Sequence, residues 1–156
     1  QPTPLLRGGT GSNSRMQEMP EELPDRLEAG TLNVPGIAGL AQGIAYLQRT
    51  GIQRIANREH RQAKRCAEGL KELGYRVFSG DHQAGTVSFL PHEDCEEFAE
   101  KLARSGYAVR AGLHCAPVAH ESAGTLDSGT VRISFGADAA DAQTDGFLRH
   151  LREREK

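Results

Sequence analysis

The order of apolar segments after residue 51 most constrains the fold of this chain. Apolar residues recur at helical spacing in several segments, and two of these end at Gly74 and Gly106, a common helix stop. We predict helices over residues 52–73, 94–105 and 139–152. We predict strands over residues 75–78, 86–90, 107–110 and 131–135, with a turn at residues 79–81 and a Gly- and Ser-containing loop between the last two strands. This β-β-α-β-β-α order after a helix predicts a small α/β sandwich whose sheet has at least one helical face.

Residues 1–35 differ from the rest in composition. Four of the seven prolines lie in the first 24 residues, and residues 8–14 are all glycine, threonine, serine or asparagine. Such a segment cannot build a core of its own, so we expect either disorder or a strip that packs against something else. Pro35 then suits the first turn of a helix whose apolar residues run from Ile37 to Leu47.

Charge and cysteine content narrow the class of protein. The net charge is −2 with acidic and basic residues interleaved, which argues against a nucleic-acid or membrane-surface role. No apolar run approaches the roughly 18 residues of a membrane span. Three cysteines without CxxC spacing fit a reducing compartment, so we expect a cytoplasmic protein.

The three cysteines fall in different settings. Cys66 and Cys95 lie on apolar faces of predicted helices, where free cysteine behaves as a small core residue. Cys115 follows a strand and lies next to His114, a setting in which a lowered thiol pKa makes the reactive thiolate accessible. An inert loop cysteine is the alternative on spacing alone. A metal site built from His114, Cys115 and His120 is disfavoured because it has three ligands and no second cluster.

Two arginines flank the cysteine loop. Arg110 and Arg132 lie in the predicted strands on either side, so pairing of those strands brings both guanidiniums near the loop. Arginine binds a carboxylate through two parallel hydrogen bonds, which suits an amino-acid substrate. Arginines exposed at strand ends are the alternative.

The glycine-rich stretch at residues 7–12 can present backbone N–H groups and a hydroxyl to a phosphate. It lacks the GK[ST] ending of a P-loop and the GxGxxG spacing of a dinucleotide-binding turn. A flexible linker is therefore the alternative.

Several of these motifs together resemble one family. LRGGTGS (residues 6–12), PDRLEAGTLN (24–33) and PGIAGL (35–40) resemble the region just after the cofactor lysine of class V aminotransferase-fold cysteine desulfurases, which use pyridoxal 5′-phosphate (PLP). VRAGLHCA (109–116) resembles their catalytic-cysteine loop, and GTVRISFG (129–136) resembles the strand that follows. The motifs occur in the family's order across nearly the whole chain.

The resemblance implies a role for each candidate residue. Cys115 would attack the sulfur of L-cysteine held on PLP, leaving an enzyme persulfide and releasing L-alanine. Arg132 would bind the substrate carboxylate, with Arg110 a weaker candidate for substrate or loop contacts. His114 would position or deprotonate the thiol.

The resemblance also implies a cofactor contact and partners. Thr10, with Gly9, would reach the PLP phosphate of the neighbouring protomer in a homodimer. The short stretch between Cys115 and Val131 resembles the group II (suf-type) form, whose members hand sulfur to an acceptor protein, in iron–sulfur cluster assembly.

The chain departs from the family in its lysines. Its four lysines, Lys64, Lys71, Lys101 and Lys156, lack the context of the cofactor lysine. We therefore expect a C-terminal portion, with residues 1–48 the tail of the large PLP-binding domain and residues 49–156 the small C-terminal domain, inactive alone. A selenocysteine lyase, a class V aminotransferase with a bystander cysteine, and a non-catalytic partner-binding domain are the alternatives.

Overall fold

The structure of the chain, a computed structural model, describes residues 2–13, 15–80 and 82–154. Ser14 of the glycine-rich stretch, Asp81 of the predicted turn and Lys156 lie outside the described residues. The chain divides into two units, residues 1–49 and residues 50–156.

The described elements follow the predicted order closely. The helices are α1 (Val34–Thr50), α2 (Ile52–Glu72), α3 (Cys95–Arg104), α4 (Pro117–Ala123) and α5 (Asp141–Arg154), with a short 3₁₀ turn at Asp25–Leu27. The strands are β1 (Arg76–Phe78), β2 (Thr86–Leu90), β3 (Arg110–Gly112) and β4 (Thr130–Ser134). The α/β fold class predicted from the sequence is confirmed.

The prediction was wrong between the last two strands, where α4 replaces part of the expected loop. Pro117 occupies its first turn, and Gly124 ends it in the left-handed conformation. Proline at a helix start and glycine after a helix end are recognised boundary signals, so this helix was readable from the sequence.

The third strand begins later than predicted, at Arg110 instead of Tyr107. The Tyr107 N–H donates to the Leu102 carbonyl at 2.9 Å, so it closes the end of α3 and does not join a strand ladder. The Tyr107 ring packs edge-on against Phe147 of α5, with ring centroids 5.4 Å apart. Helix capping and ring packing therefore determine the conformation of this segment.

The four strands form an antiparallel sheet in the order β1-β2-β4-β3. Alternate residues point to opposite faces of a strand, and here Val87, Phe89 and Val131 are buried on one face. Helices α2 and α3 pack against the strands, and α5 packs against α2. The other face carries Ser88 and Arg132, which lie opposite each other in the ladder.

The core of residues 50–156 lies between the sheet and these helices. Leu70, Phe89, Leu102 and Leu151 are fully buried there. Cys66 and Cys95 are buried as the sequence predicted, and burial raises the pKa of the Cys66 thiol to about 12.

Helix α1 differs from the core helices because none of its residues is buried. Its predicted apolar positions include Ile37, Leu40 and Ile44, all of them exposed. Among the described residues, no helix has the length and apolar character needed to cross a membrane.

Replacing Leu70 tests the position of the core. Leu70 is 0% exposed, so Leu70→Ala should lower the free energy of unfolding by about 2–5 kcal/mol through lost burial and a cavity. The same substitution at Leu40, which is 65% exposed, should change it by less than about 0.5 kcal/mol. Urea unfolding followed by circular dichroism measures both, and equal losses would contradict this core.

Candidate active site

The cysteine loop leaves β3 through a tight turn. Gly112 has φ +100°, and the Ala116 N–H donates to the Leu113 carbonyl at 2.9 Å. The two central residues of this turn, His114 and Cys115, have φ +52° and +60°. Positive φ at both central positions is the pattern of a type I′ turn, which glycine and asparagine usually occupy. Residues other than glycine whose backbone is held in this region cost about 1–3 kcal/mol each, and they tend to mark functional sites.

A close approach of two glycines fixes the base of this loop. Gly112 pairs with Thr130 in the β3–β4 ladder, and Gly129 directly precedes that partner. A β carbon on Gly129 would lie 3.0 Å from the Gly112 Cα and 3.1 Å from the Cys95 Sγ. Burial raises the pKa of Cys95, the dominant effect on that thiol. Cys95 therefore serves as packing beneath the loop.

Of the three thiols, only Cys115 is exposed. The neighbouring His114 is half-buried, and its Nε2 lies 3.2 Å from the Thr130 Oγ1. Its Nδ1 is buried and has no hydrogen-bond partner among the described residues. The ring thus has one anchored nitrogen and one buried nitrogen that no described residue engages.

The surroundings of His114 favour its neutral form. Desolvation lowers its pKa most, and the charges of Arg132, His120 and Arg110 lower it further, against a hydrogen bond with the Thr130 backbone. A neutral imidazole can accept a proton from a thiol, which is the requirement for a general base.

The structure brings the two predicted arginines together. Arg110 and Arg132 are directly opposed in the β3–β4 ladder and therefore share one face of the sheet. The Arg132 Nε is buried without a partner, and no carboxylate within the described ranges forms an ion pair with either arginine. Opposed like charges destabilise a sheet, so this pair favours an anion between or beside them.

The glycine-rich segment lies in the other unit and lines a cavity of about 160 Å³ with Arg7, Gly9 and Thr10. The Thr10 Oγ1 lies 2.7 Å from the Ser12 Oγ, and no atom lies within 4 Å of the place where a β carbon would stand on Gly9. The cavity lining also includes one carboxylate, that of Glu18. The Arg7 cation, the Thr10 hydroxyl and the open backbone at Gly9 fit a phosphate group by the chemistry of their donors, whereas the charge of Glu18 opposes one.

The sequence pointed to His114, Cys115 and His120 together only as a weak metal site. No group of three or more histidine, cysteine or acidic residues in the described part of the chain is arranged to hold a metal ion. Sequence reasoning missed Thr130 and Thr125, which hydrogen-bond the two histidine rings. Thr130 could have been found, since it lies two residues before Arg132 on the same strand and so on the same face.

Comparison with known proteins identifies the family. The class V aminotransferase family matches residues 1–147. The chain belongs to this family. It is 38% identical over 157 residues to a probable cysteine desulfurase of Pyrococcus abyssi, covering 96% of this chain and 38% of that protein. It is 36% identical over 133 residues to a probable cysteine desulfurase of Mycolicibacterium paratuberculosis, covering 83% of this chain and 19% of that protein.

Two solved structures of cysteine desulfurases superpose on the chain. An apo cysteine desulfurase from Thermococcus onnurineus NA1 matches with a TM-score of 0.79 at 37% identity, over 87% of this chain and 34% of that one. The cysteine desulfurase CsdA from Escherichia coli matches with a TM-score of 0.82 at 26% identity, over 97% and 38%. The chain thus spans well under half the length of these relatives.

Two glycines with similar backbones test the close approach at the loop base. Gly124 and Gly129 have φ +66° and +63°, but only Gly129 has atoms where a β carbon would stand. Gly124→Ala should cost about 1 kcal/mol through the backbone alone. Gly129→Ala should cost at least about 1 kcal/mol more, because the strands must separate. Urea unfolding measures both, and equal costs would contradict the close approach.

The pH dependence of stability tests the neutral state of His114. Its folded pKa lies below the ordinary value of 6.5, so the folded chain binds fewer protons than the unfolded chain just below that pH. The contribution of the neutral His114 ring to the free energy of unfolding is fully present above about pH 6.5. It is lost as the pH falls from there through the lowered folded pKa. His114→Gln should therefore lose less unfolding free energy than the wild type on acidification through this range.

The same effect can be followed directly on the His114 ring by NMR. Removing one neighbouring cation with Arg132→Met should raise its titration midpoint, because that guanidinium lowers the pKa. An unchanged midpoint, or parallel stability curves for wild type and His114→Gln, would contradict this electrostatic account.

Proposed function

We propose that this chain is part of a PLP-dependent cysteine desulfurase in which Cys115 accepts sulfur from L-cysteine. The observation that carries the proposal is the turn at residues 113–116, which holds an exposed thiol next to a histidine of lowered pKa. The sequence similarity to probable cysteine desulfurases supports the same reaction.

Each residue of the cluster has a task in this reaction. His114 accepts the proton of the Cys115 thiol, since its surroundings favour the neutral ring. The Cys115 thiolate forms a bond to the substrate sulfur as the carbon–sulfur bond of L-cysteine breaks. The carbon keeps the electron pair, takes up a proton and leaves as L-alanine, and Cys115 carries a persulfide. The sum is L-cysteine plus thiol giving L-alanine plus persulfide, with no external oxidant.

Arg132 binds the substrate carboxylate in this proposal. Its Nε is buried and unpartnered among the described residues, and Arg110 lies opposite it with a second positive charge. A carboxylate satisfies the buried donor and separates the two cations, which removes the cost of opposing like charges.

The glycine-rich segment holds the cofactor phosphate. Thr10 and Gly9 provide a hydroxyl and an uncovered backbone, and Arg7 lines the same cavity. When bound, PLP acts as an electron sink for bonds to the substrate's α carbon, while the protein supplies orientation. The phosphate belongs to the neighbouring protomer of a homodimer, as the family resemblance implies.

The two units correspond, in this proposal, to parts of two domains of a longer enzyme. Residues 1–48 are the tail of the large PLP-binding domain, and residues 49–156 are the small domain with the cysteine loop. The exposure of Cys115, with the exposed apolar side chains of Leu113 and Val118 nearby in sequence, favours transfer of the persulfide sulfur to an acceptor protein.

The test uses the longer protein containing this chain, loaded with PLP and given L-cysteine. Cys115→Ala should lower alanine release by at least about 10³-fold, because a nucleophile is lost. Cys66→Ala removes a buried thiol and is the matched control, which should retain activity and the persulfide on Cys115. Alanine assays and mass spectrometry of the persulfide measure these outcomes.

Other outcomes separate the alternatives. Transamination that survives Cys115→Ala would identify an aminotransferase, and faster turnover of selenocysteine than cysteine would identify a selenocysteine lyase. We expect no alanine release from residues 1–156 alone, and turnover by that chain, lost in Cys115→Ala, would contradict our assignment of the domains.

A further inference from the structure

His120 is a buried histidine beside the cysteine loop that the proposed reaction does not use. It is 7% exposed, and its Nδ1 lies 2.8 Å from the Oγ1 of Thr125, which is 1% exposed. The Thr125 N–H also donates to the His120 carbonyl at 2.9 Å. The same Nδ1 lies 3.3 Å from the Thr125 carbonyl oxygen, and the Thr125 hydroxyl lies 3.5 Å from the His120 carbonyl oxygen. Several hydrogen bonds, the shortest of them through the Thr125 hydroxyl, therefore join this residue of α4 to the chain just beyond the helix.

The backbone N–H and the ring of His120 also face the turn that carries Cys115. The His120 N–H donates to the Ala116 carbonyl at 3.1 Å, so the first hydrogen-bonded turn of α4 starts on the residue after Cys115. The His120 and His114 rings have centroids 5.8 Å apart at an interplanar angle of 48°. His120 thus connects the C-terminal end of α4, where Thr125 holds it, with the His114 ring next to Cys115.

His114 needs such support because its own anchoring is sparse. Within the described part of the chain its ring is held by Thr130 alone, whose Oγ1 lies 3.2 Å from Nε2, and its buried Nδ1 has no hydrogen-bond partner. The backbone at His114 and Cys115 lies in a region that costs energy, so the turn persists only if its surroundings determine it. The His120 ring supplies this constraint, because it packs against His114 and is held on its other side by Thr125.

We propose that His120, held by Thr125, is a positioning residue that fixes the His114 ring and the turn carrying Cys115. The inference rests on the proposed desulfurase function for its catalytic consequence only. The purely structural alternative is that His120 and Thr125 close the end of α4 and have no effect on the turn at residues 113–116.

The experiment compares four variants of the full-length, PLP-loaded protein. Thr125→Val removes the hydroxyl at nearly constant shape, and Thr125→Ser keeps it. His120→Asn keeps a side-chain amide in place of Nδ1 and removes the ring that packs on His114. Ser122→Ala is the matched control on the same helix, since the Ser122 hydroxyl donates to the Val118 carbonyl of that helix at 2.9 Å.

Hydrogen exchange of the turn amides is the first readout and does not depend on turnover. Thr125→Val and His120→Asn should each speed exchange over residues 113–116 by about fivefold, the effect of losing one hydrogen bond or an equivalent contact. Thr125→Ser and Ser122→Ala should exchange as the wild type does. Wild-type exchange in Thr125→Val or in His120→Asn would overturn the proposal, and if one of these two fails to fold the other decides.

Steady-state kinetics of alanine release is the second readout. Thr125→Val and His120→Asn should lower kcat by about tenfold through a misplaced base and thiol. KM for L-cysteine should stay within about twofold, because the carboxylate site is untouched. An equal loss in Thr125→Ser would indicate general destabilisation and overturn the positioning role. If the wild type releases no alanine, the proposed function fails while the exchange data still decide the positioning role.

Discussion

The close approach of Gly112 and Gly129 determines where the loop between β3 and β4 leaves the sheet. The two strands pair so tightly there that a β carbon on Gly129 would lie 3.0 Å from the opposite Cα. From this point the ladder places Thr130 next to the loop and Arg132 opposite Arg110. This one pairing positions the anchored nitrogen of His114, the two opposed arginines and the Cys115 thiol.

Several features of the cluster oppose stability. Two residues other than glycine adopt positive φ, two guanidiniums face each other, and buried nitrogens of His114 and Arg132 have no partner in the described structure. Each feature costs free energy, and the packed core beneath the sheet offsets that cost. A bound carboxylate and a transferred proton would satisfy these groups, so the same features that weaken the empty site would strengthen it when it is occupied.

Local patterns predicted most of the fold and part of the site. The buried cysteines and the succession of helices and strands along the chain follow from apolar spacing, which reports burial directly, and Gly74 and Gly106 mark two of the helix ends. Helix α4 was missed although Pro117 and Gly124 mark its ends, because a seven-residue helix has too few apolar positions to show a period. Spacing places Thr130 on the same strand face as Arg132, but it does not identify His114 as the partner of Thr130 or His120 as the partner of Thr125, since those contacts depend on strand register and on how α4 closes. Those are properties of the assembled sheet and its connections.

The charges around His114 connect substrate binding to proton transfer under the proposed function. The guanidinium that would bind the carboxylate, Arg132, also lowers the pKa of His114. A substrate carboxylate against Arg132 offsets that positive charge and so raises the affinity of the ring for a proton. The ring then becomes a better base once substrate has arrived, while in the empty site the lowered pKa keeps it neutral. Since Cys66 and Cys95 have raised pKa values through burial, this activation is confined to Cys115.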